Sequence, residues 1–116
     1  MNARNNLAES LQRVDVCALD DLKPGLGVCA LVGDQQVALF RLRDGDIFAI
    51  GNHDPFSGAN VISRGLTGDL KGRKVVASPL YKQHFDLVTG ECLETPDVRL
   101  PVWAVQVIDG RVCVLA

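Results

Sequence analysis

Aromatic side chains are scarce in this chain: one tryptophan, one tyrosine and four phenylalanines, 5% of its residues. A binder of single-stranded nucleic acid needs aromatic platforms on an exposed face, so the scarcity speaks against that class. A basic surplus is missing as well, since twelve Lys and Arg against fourteen Asp and Glu leave a formal charge of -2. No field draws in DNA, RNA or an anionic membrane. Long apolar runs are also absent. The longest, 28–32 and 112–116, are five residues each, far short of the roughly 20 that a membrane-crossing helix requires. Residues 1–6 are polar and lead into no apolar stretch with a small-residue cleavage site, so export is not expected and the expected compartment is the cytoplasm. Paired cysteines are missing too. Cys17, Cys29, Cys92 and Cys113 stand singly, with no Cys-x-x-Cys. Each lies in or beside an apolar segment, so all four read as reduced core residues.

What is present suits one self-sufficient domain. The chain has 116 residues, 47% of them hydrophobic, enough to bury about 60 to 70% of its extended surface without a disulfide or structural metal. Short segments rich in Val, Ile and Leu alternate with Gly, Asp and Pro, the signature of an all-β sandwich or barrel. Strands are predicted at 14–18, 27–32, 36–41, 47–51, 74–78, 84–87, 91–93, 102–108 and 111–115. Gly33-Asp34, Asp44-Gly45 and Asp109-Gly110 read as tight hairpin turns, because glycine tolerates the positive backbone angles they demand. One short helix is expected at 7–13, with Asn6 as its cap. Residues 1–12 are thus a tail or short helix and 13–116 a single domain.

The stretch 52–94 differs, with shorter strands and two longer loops, 52–57 and 79–83, rich in glycine, proline and polar residues. Loops held on a rigid sheet are where function usually resides. Several apparent sites within and near them lack the spacing their chemistry needs. His53, Asp54 and His84 supply the donors of a facial iron site, but neighbours such as His53 and Asp54 point to opposite sides of an extended chain. Ser78, His84 and Asp86 have no nucleophile elbow around them. Gly25-Leu26-Gly27 lacks the third glycine and the following helix of a dinucleotide-binding turn. Lys71, Arg73 and Lys74 surround Gly72 as a basic hairpin tip, read as a solvated turn. Trp103, in a strongly apolar strand, reads as core. Phe56 has two readings, an interface anchor or a ring folded inward.

Taken together, the two loops resemble the Rieske iron-sulfur domain. That family places Cys-x-His in one loop and Cys-x-x-His in the other, two thiolates on one iron and two imidazoles on the second. Here the first loop reads NHDPFSGANVISRG from Asn52 and the second VVASPLYKQHFDLVTGE from Val75. Asp54 and Phe56 stand at the first pair of ligand positions, Ser78 and Tyr81 at the second. The frame around them is kept: Pro55, Pro79, Ser57-Gly58-Ala59, Phe85-Asp86 and Thr89-Gly90. With Ser63-Arg64-Gly65 and Leu100-Pro101-Val102, the chain from about residue 14 to 115 is similar to the small subunits of bacterial NAD(P)H-dependent assimilatory nitrite reductases.

The resemblance implies a Rieske-like β-sandwich or barrel into which a smaller loop-rich β subdomain, about 52–94, is inserted. It implies an accessory subunit of an enzyme reducing nitrite to ammonium, with FAD, siroheme and an iron-sulfur cluster on a large partner subunit. This chain itself would carry no catalytic residue, cofactor or metal. Asp54 and Ser78 are hard oxygen donors and Phe56 cannot ligate, whereas a cluster needs soft thiolates. Asp54 and the Tyr81 hydroxyl are expected to pin the two loops in its place. Asp54, Phe56, Ser57, Arg64, Tyr81 and Lys82 are the expected contacts with the large subunit. The alternative is a Rieske-type electron-transfer or interaction module serving another oxidoreductase.

Overall fold

The structure is a computed structural model that describes residues 12–116. The helix expected at 7–13 falls mostly outside this range, and its last residue, Arg13, opens a strand instead. Ten strands follow: β1 (Arg13–Ala18), β2 (Val28–Val32), β3 (Gln35–Arg41), β4 (Ile47–Gly51), β5 (Leu66–Leu70), β6 (Arg73–Ala77), β7 (His84–Asp86), β8 (Val102–Trp103), β9 (Val105–Ile108) and β10 (Arg111–Leu115). They form three antiparallel sheets in the orders β1-β10-β9, β2-β3-β4-β8 and β5-β6-β7. Gln12 and Ala116 close the first sheet through two reciprocal backbone hydrogen bonds of 3.0 Å.

The central sheet has a core on each face, which explains why β3 reads as an unbroken apolar run instead of alternating with polar residues. Val37 and Leu39 face one way, joining Leu22, Ala49, Val112 and Val114. Ala38 and Phe40 face the other way, joining Ile50, Ile62, Val76, Phe85 and Leu87. Trp103 packs at the margin of the first core.

Gly33-Asp34 and Asp109-Gly110 are two-residue hairpin turns as expected, whereas Asp44-Gly45 lies within a five-residue connection between Arg41 and Ile47. Asp109 and Gly110 both take positive φ, 51° and 75°, as do Lys71 and Gly72, at 54° and 80°, the requirement of a type I′ turn. Arg73 and Lys74 leave that tip to form ion pairs, Arg73 with Asp86 (2.7 Å) and Glu91 (2.9 Å), Lys74 with Asp44 (2.7 Å) and Asp46 (2.6 Å).

Three strand expectations need correction. β5 (Leu66–Leu70) lies outside the expected strands, because Gly68 and Asp69 are among the residues depleted in strands. Residues 91–93 form only isolated bridges, Cys92 to Phe85 and Glu91 to Arg99. The run 102–108 is two strands, since the chain changes sheets at Ala104: β8 pairs with β4 and β9 with β10. The cysteine reading also changes at one position. Cys92 and Cys113 are buried, but Cys29 is exposed, because β2 is an edge strand whose alternate residues face outward.

Candidate functional site

Asn52 anchors the first loop where it leaves β4. Its side chain, 2% exposed, donates to Gln36 Oε1 (3.0 Å) and to the Asn60 carbonyl (3.2 Å), and its Oδ1 accepts from the Ser63 N–H at 2.7 Å. Gly27 passes this region so closely that a Cβ there would lie 2.0 Å from the Ser63 carbonyl oxygen.

Beyond Asn52 the structure uses one turn three times, at 54–58, 78–82 and 86–90. In each, the fifth N–H donates to the first carbonyl: Gly58 to Asp54 (2.8 Å), Lys82 to Ser78 (3.0 Å), Gly90 to Asp86 (2.7 Å). In each, the first N–H donates to the carbonyl five residues on: Asp54 to Ala59, Ser78 to Gln83, Asp86 to Glu91, all 2.9 Å. The fifth residue has a positive φ every time, 77° at Gly58, 67° at Lys82 and 81° at Gly90.

The first and third turns share their chemistry too, Asp-x-x-Ser/Thr-Gly. The Asp54 carboxylate accepts from the Phe56 N–H (2.9 Å), as Asp86 does from Val88 (2.7 Å) and Thr89 (2.9 Å). The Ser57 and Thr89 hydroxyls accept from Ala59 and Glu91, at 3.3 and 3.2 Å. Aspartate at a turn start satisfies the backbone in this way. The match between DPFSG and DLVTG is visible in the sequence and would have disclosed the fold of the first loop.

The second turn begins with serine, and its hydroxyl is aimed across the gap. Ser78 Oγ donates to Asp54 Oδ2 at 2.5 Å, with both residues at 0% exposure. This bond ties the two loops. The expected tie through Tyr81 is not made: Tyr81 sits at the tip of its turn and points outward, 60% exposed. Burial acts to raise the Asp54 pKa, but the Ser78 hydroxyl and the Phe56 and Ser57 groups outweigh it, holding the carboxyl below its ordinary range. Asp54 is therefore a carboxylate at neutral pH, accepting from the Ser78 hydroxyl and the Phe56 N–H.

Phe56 folds inward. Its ring packs on the core beside Phe85, with centroids 6.2 Å apart and planes at 44°. The remaining polar residues are occupied locally. His53 Nδ1 meets Asn60 Oδ1 at 3.0 Å, His84 Nδ1 meets Glu94 Oε2 at 2.7 Å, and Asp86 is held by Arg73. Ser78, His84 and Asp86 thus each serve a different partner and form no relay.

A Rieske cluster does not fit this donor set. The four positions hold a carboxylate, a phenyl ring, a hydroxyl and a phenol, with no thiolate or imidazole among them. Two of the four are already hydrogen-bonded to each other, and a third is packed against the core.

Lys82 is the one fifth-position residue of the three turns that is not glycine. A side chain in the left-handed region costs roughly 1 kcal/mol, so Lys82→Gly is expected to stabilise the chain by about 0.5 to 1 kcal/mol. Thermal unfolding checks this, and a lowered melting temperature would mean that the lysine stem contributes packing greater than the strain.

The family model described as "Rieske-like [2Fe-2S] domain" matches residues 12–115. The chain is 48% identical over 99 residues to the nitrite reductase (NADH) small subunit of Escherichia coli K12, covering 84% of this chain and 92% of that one. The solution structure of the nitrite reductase [NAD(P)H] small subunit from Erwinia carotovora superposes with a TM-score of 0.77 at 46% identity, covering 90% of this chain and 81% of that one. A further match lies within a much longer protein, the nitrite reductase [NAD(P)H] large subunit of Klebsiella oxytoca. There the identity is 41% over 99 residues, covering 85% of this chain and 10% of the relative.

Proposed function

The chain belongs to the Rieske-like [2Fe-2S] domain family, among the nitrite reductase small subunits, and from that premise we propose that it is the accessory subunit of a cytoplasmic NAD(P)H-dependent nitrite reductase. In this reading it binds the large subunit through the former cluster face. The reduction of nitrite to ammonium runs on the large subunit, on FAD, siroheme and an iron-sulfur cluster held there. The observation that carries the reading is the buried Asp54–Ser78 hydrogen bond. It joins two of the four positions at which a cluster would need ligands while the regular turns of both loops remain, which supports a surface over a redox centre. The segment matched within the Klebsiella oxytoca large subunit supports the partner, because it places a related sequence in the same polypeptide as a large subunit.

The residues able to meet a partner are narrower than the ligand positions. Asp54 is fully buried and out of reach, and Phe56 is largely spent on Phe85. Tyr81, Leu80 (52% exposed), Arg64 and Lys82 are presented outward, with Ser57 half-buried at their edge. Arg64 and Lys82 take part in none of the ion pairs formed among the described residues. An exposed aromatic beside free cations suits an apolar patch with an acidic rim.

Co-expression with a nitrite reductase large subunit should give one co-eluting complex, and the isolated chain should contain only trace iron and no visible absorption band. Iron at one cluster per chain would overturn the cluster-free reading, and failure to co-elute would overturn the partner. Tyr81→Glu with Lys82→Glu is expected to weaken the complex at least tenfold while leaving the melting temperature of the free chain within a few degrees.

A further inference from the structure

β5 is an edge strand, hydrogen-bonded to β6 alone. The two-residue turn at Lys71-Gly72 makes Leu70 and Arg73 the closing hydrogen-bonded pair. Antiparallel alternation then directs the N–H and C=O of Leu66 and Gly68 to β6, and those of Thr67 and Asp69 outward. Among the described residues these outward groups have no backbone partner. A groove of about 620 Å³ runs along Leu66 to Asp69 and is bounded on its other sides by Gly25, Leu42, Arg43, Asp44 and Lys74, the last two joined by an ion pair of 2.7 Å.

Gly68, at the middle of β5, is not required by the isolated chain. Its φ is outside the left-handed region and a Cβ there would meet nothing within 4 Å. Glycine inside a strand weakens it by roughly 0.5 to 1 kcal/mol, and where it occurs it often marks a place that another backbone approaches closely. Leu66, at the start of the same strand, is 75% exposed, more than any other large apolar residue described.

We infer that the groove receives an extended segment of the large subunit, which pairs with Thr67 and Asp69 and continues the β5-β6-β7 sheet as a fourth strand. This rests on the functional reading above. Continuity favours that occupant: Leu66 follows Gly65 and pairs with Ala77, the neighbour of Ser78, so the groove begins where the loop face ends. A second copy of this chain is disfavoured by size, because pairing one five-residue strand falls well short of the roughly 800 Å² per partner that a stable interface buries. A partner already seated on the loop face needs only the added backbone bonds.

Thr67→Pro tests this cleanly, because the lost N–H points away from β6 and an edge strand tolerates proline there. With the wild-type complex as reference, the variant is expected to lose at least tenfold in affinity for the large subunit. In hydrogen exchange, the Thr67 and Asp69 amides of the wild-type chain should exchange at least tenfold more slowly in the complex than free. Unchanged exchange at these amides, or a Thr67→Pro chain that folds and binds normally, would overturn the groove and leave the subunit assignment standing. If Thr67→Pro fails to fold, the exchange measurement decides alone. A wild-type chain that does not bind at all overturns both, and a dimer of the free chain that Thr67→Pro dissociates would assign the groove to a second copy.

Discussion

Asp54→Ala is expected to destabilise the chain by about 3 kcal/mol or more at neutral pH, a loss that a urea titration resolves easily. The carboxylate is buried and accepts from the Ser78 hydroxyl and the Phe56 N–H. Its removal strands those donors, and each buried unsatisfied group costs about 1 to 3 kcal/mol. Ser78→Ala should cost less, since Asp54 keeps its backbone donors. The double variant should fall short of the sum by roughly 1 to 2 kcal/mol, the coupling expected of contacting groups. Additive losses would mean that the two loops are held independently and that the clasp is incidental.

The same clasp should be sensitive to acid. The folded-state pKa of Asp54 lies below its ordinary value, so its ionised form contributes stability that is complete above the unfolded value of about 3.9. That contribution is lost as pH falls through the lower, folded value. The gap between wild type and Asp54→Ala should therefore narrow below about pH 4, and a constant gap would assign the effect to packing alone. Asp86 and Glu94 also have lowered values, so the wild type weakens in the same window for more than one reason.

Gly90→Ala is expected to cost more than 3 kcal/mol, whereas Gly58→Ala, at the equivalent place in the first turn, should cost about 1. Both residues have positive φ, 81° and 77°, and share the backbone strain of roughly 1 to 2 kcal/mol. Their surroundings differ. A Cβ on Gly58 would meet nothing within 4 Å, while one on Gly90 would lie 2.0 Å from the Leu100 carbonyl oxygen. Leu100 N–H donates to the Gly90 carbonyl at 2.9 Å, so the clash is with backbone that cannot step aside without breaking this bond. Equal melting temperatures for the two variants would show that the strand beyond Leu100 yields more readily than this contact implies.

The sheets were legible in the sequence where an apolar run stays within one sheet. β4 and β10 have the bounds their apolar runs suggest, and β2 and β3 differ by a single residue. β5 was hidden because Gly68 and Asp69 carry no strand signal of their own, and the pairing with β6 supplies it. The change of sheets at Ala104 was hidden for the opposite reason, since Val102 to Ile108 stays apolar through the corner. At the site, Asp54 does tie the two loops, as its sequence position suggests, but Tyr81 takes no part. Tyr81 has a hydroxyl in the right loop, yet a residue at the tip of a turn points away from its base. Ser78, at the base, is the one that reaches across. The repeated Asp-x-x-Ser/Thr-Gly is the sequence signal for the base of the first turn.

The reciprocal bonds between Gln12 and Ala116 give the first sheet a mechanical polarity. β1 and β10 run antiparallel from that pair, so tension applied across the two ends opens the ladder one rung at a time. Pairs loaded singly resist far less force than the same pairs sheared at once. A tether at only one end leaves every pair unloaded, so the sheet behind the loops stays closed.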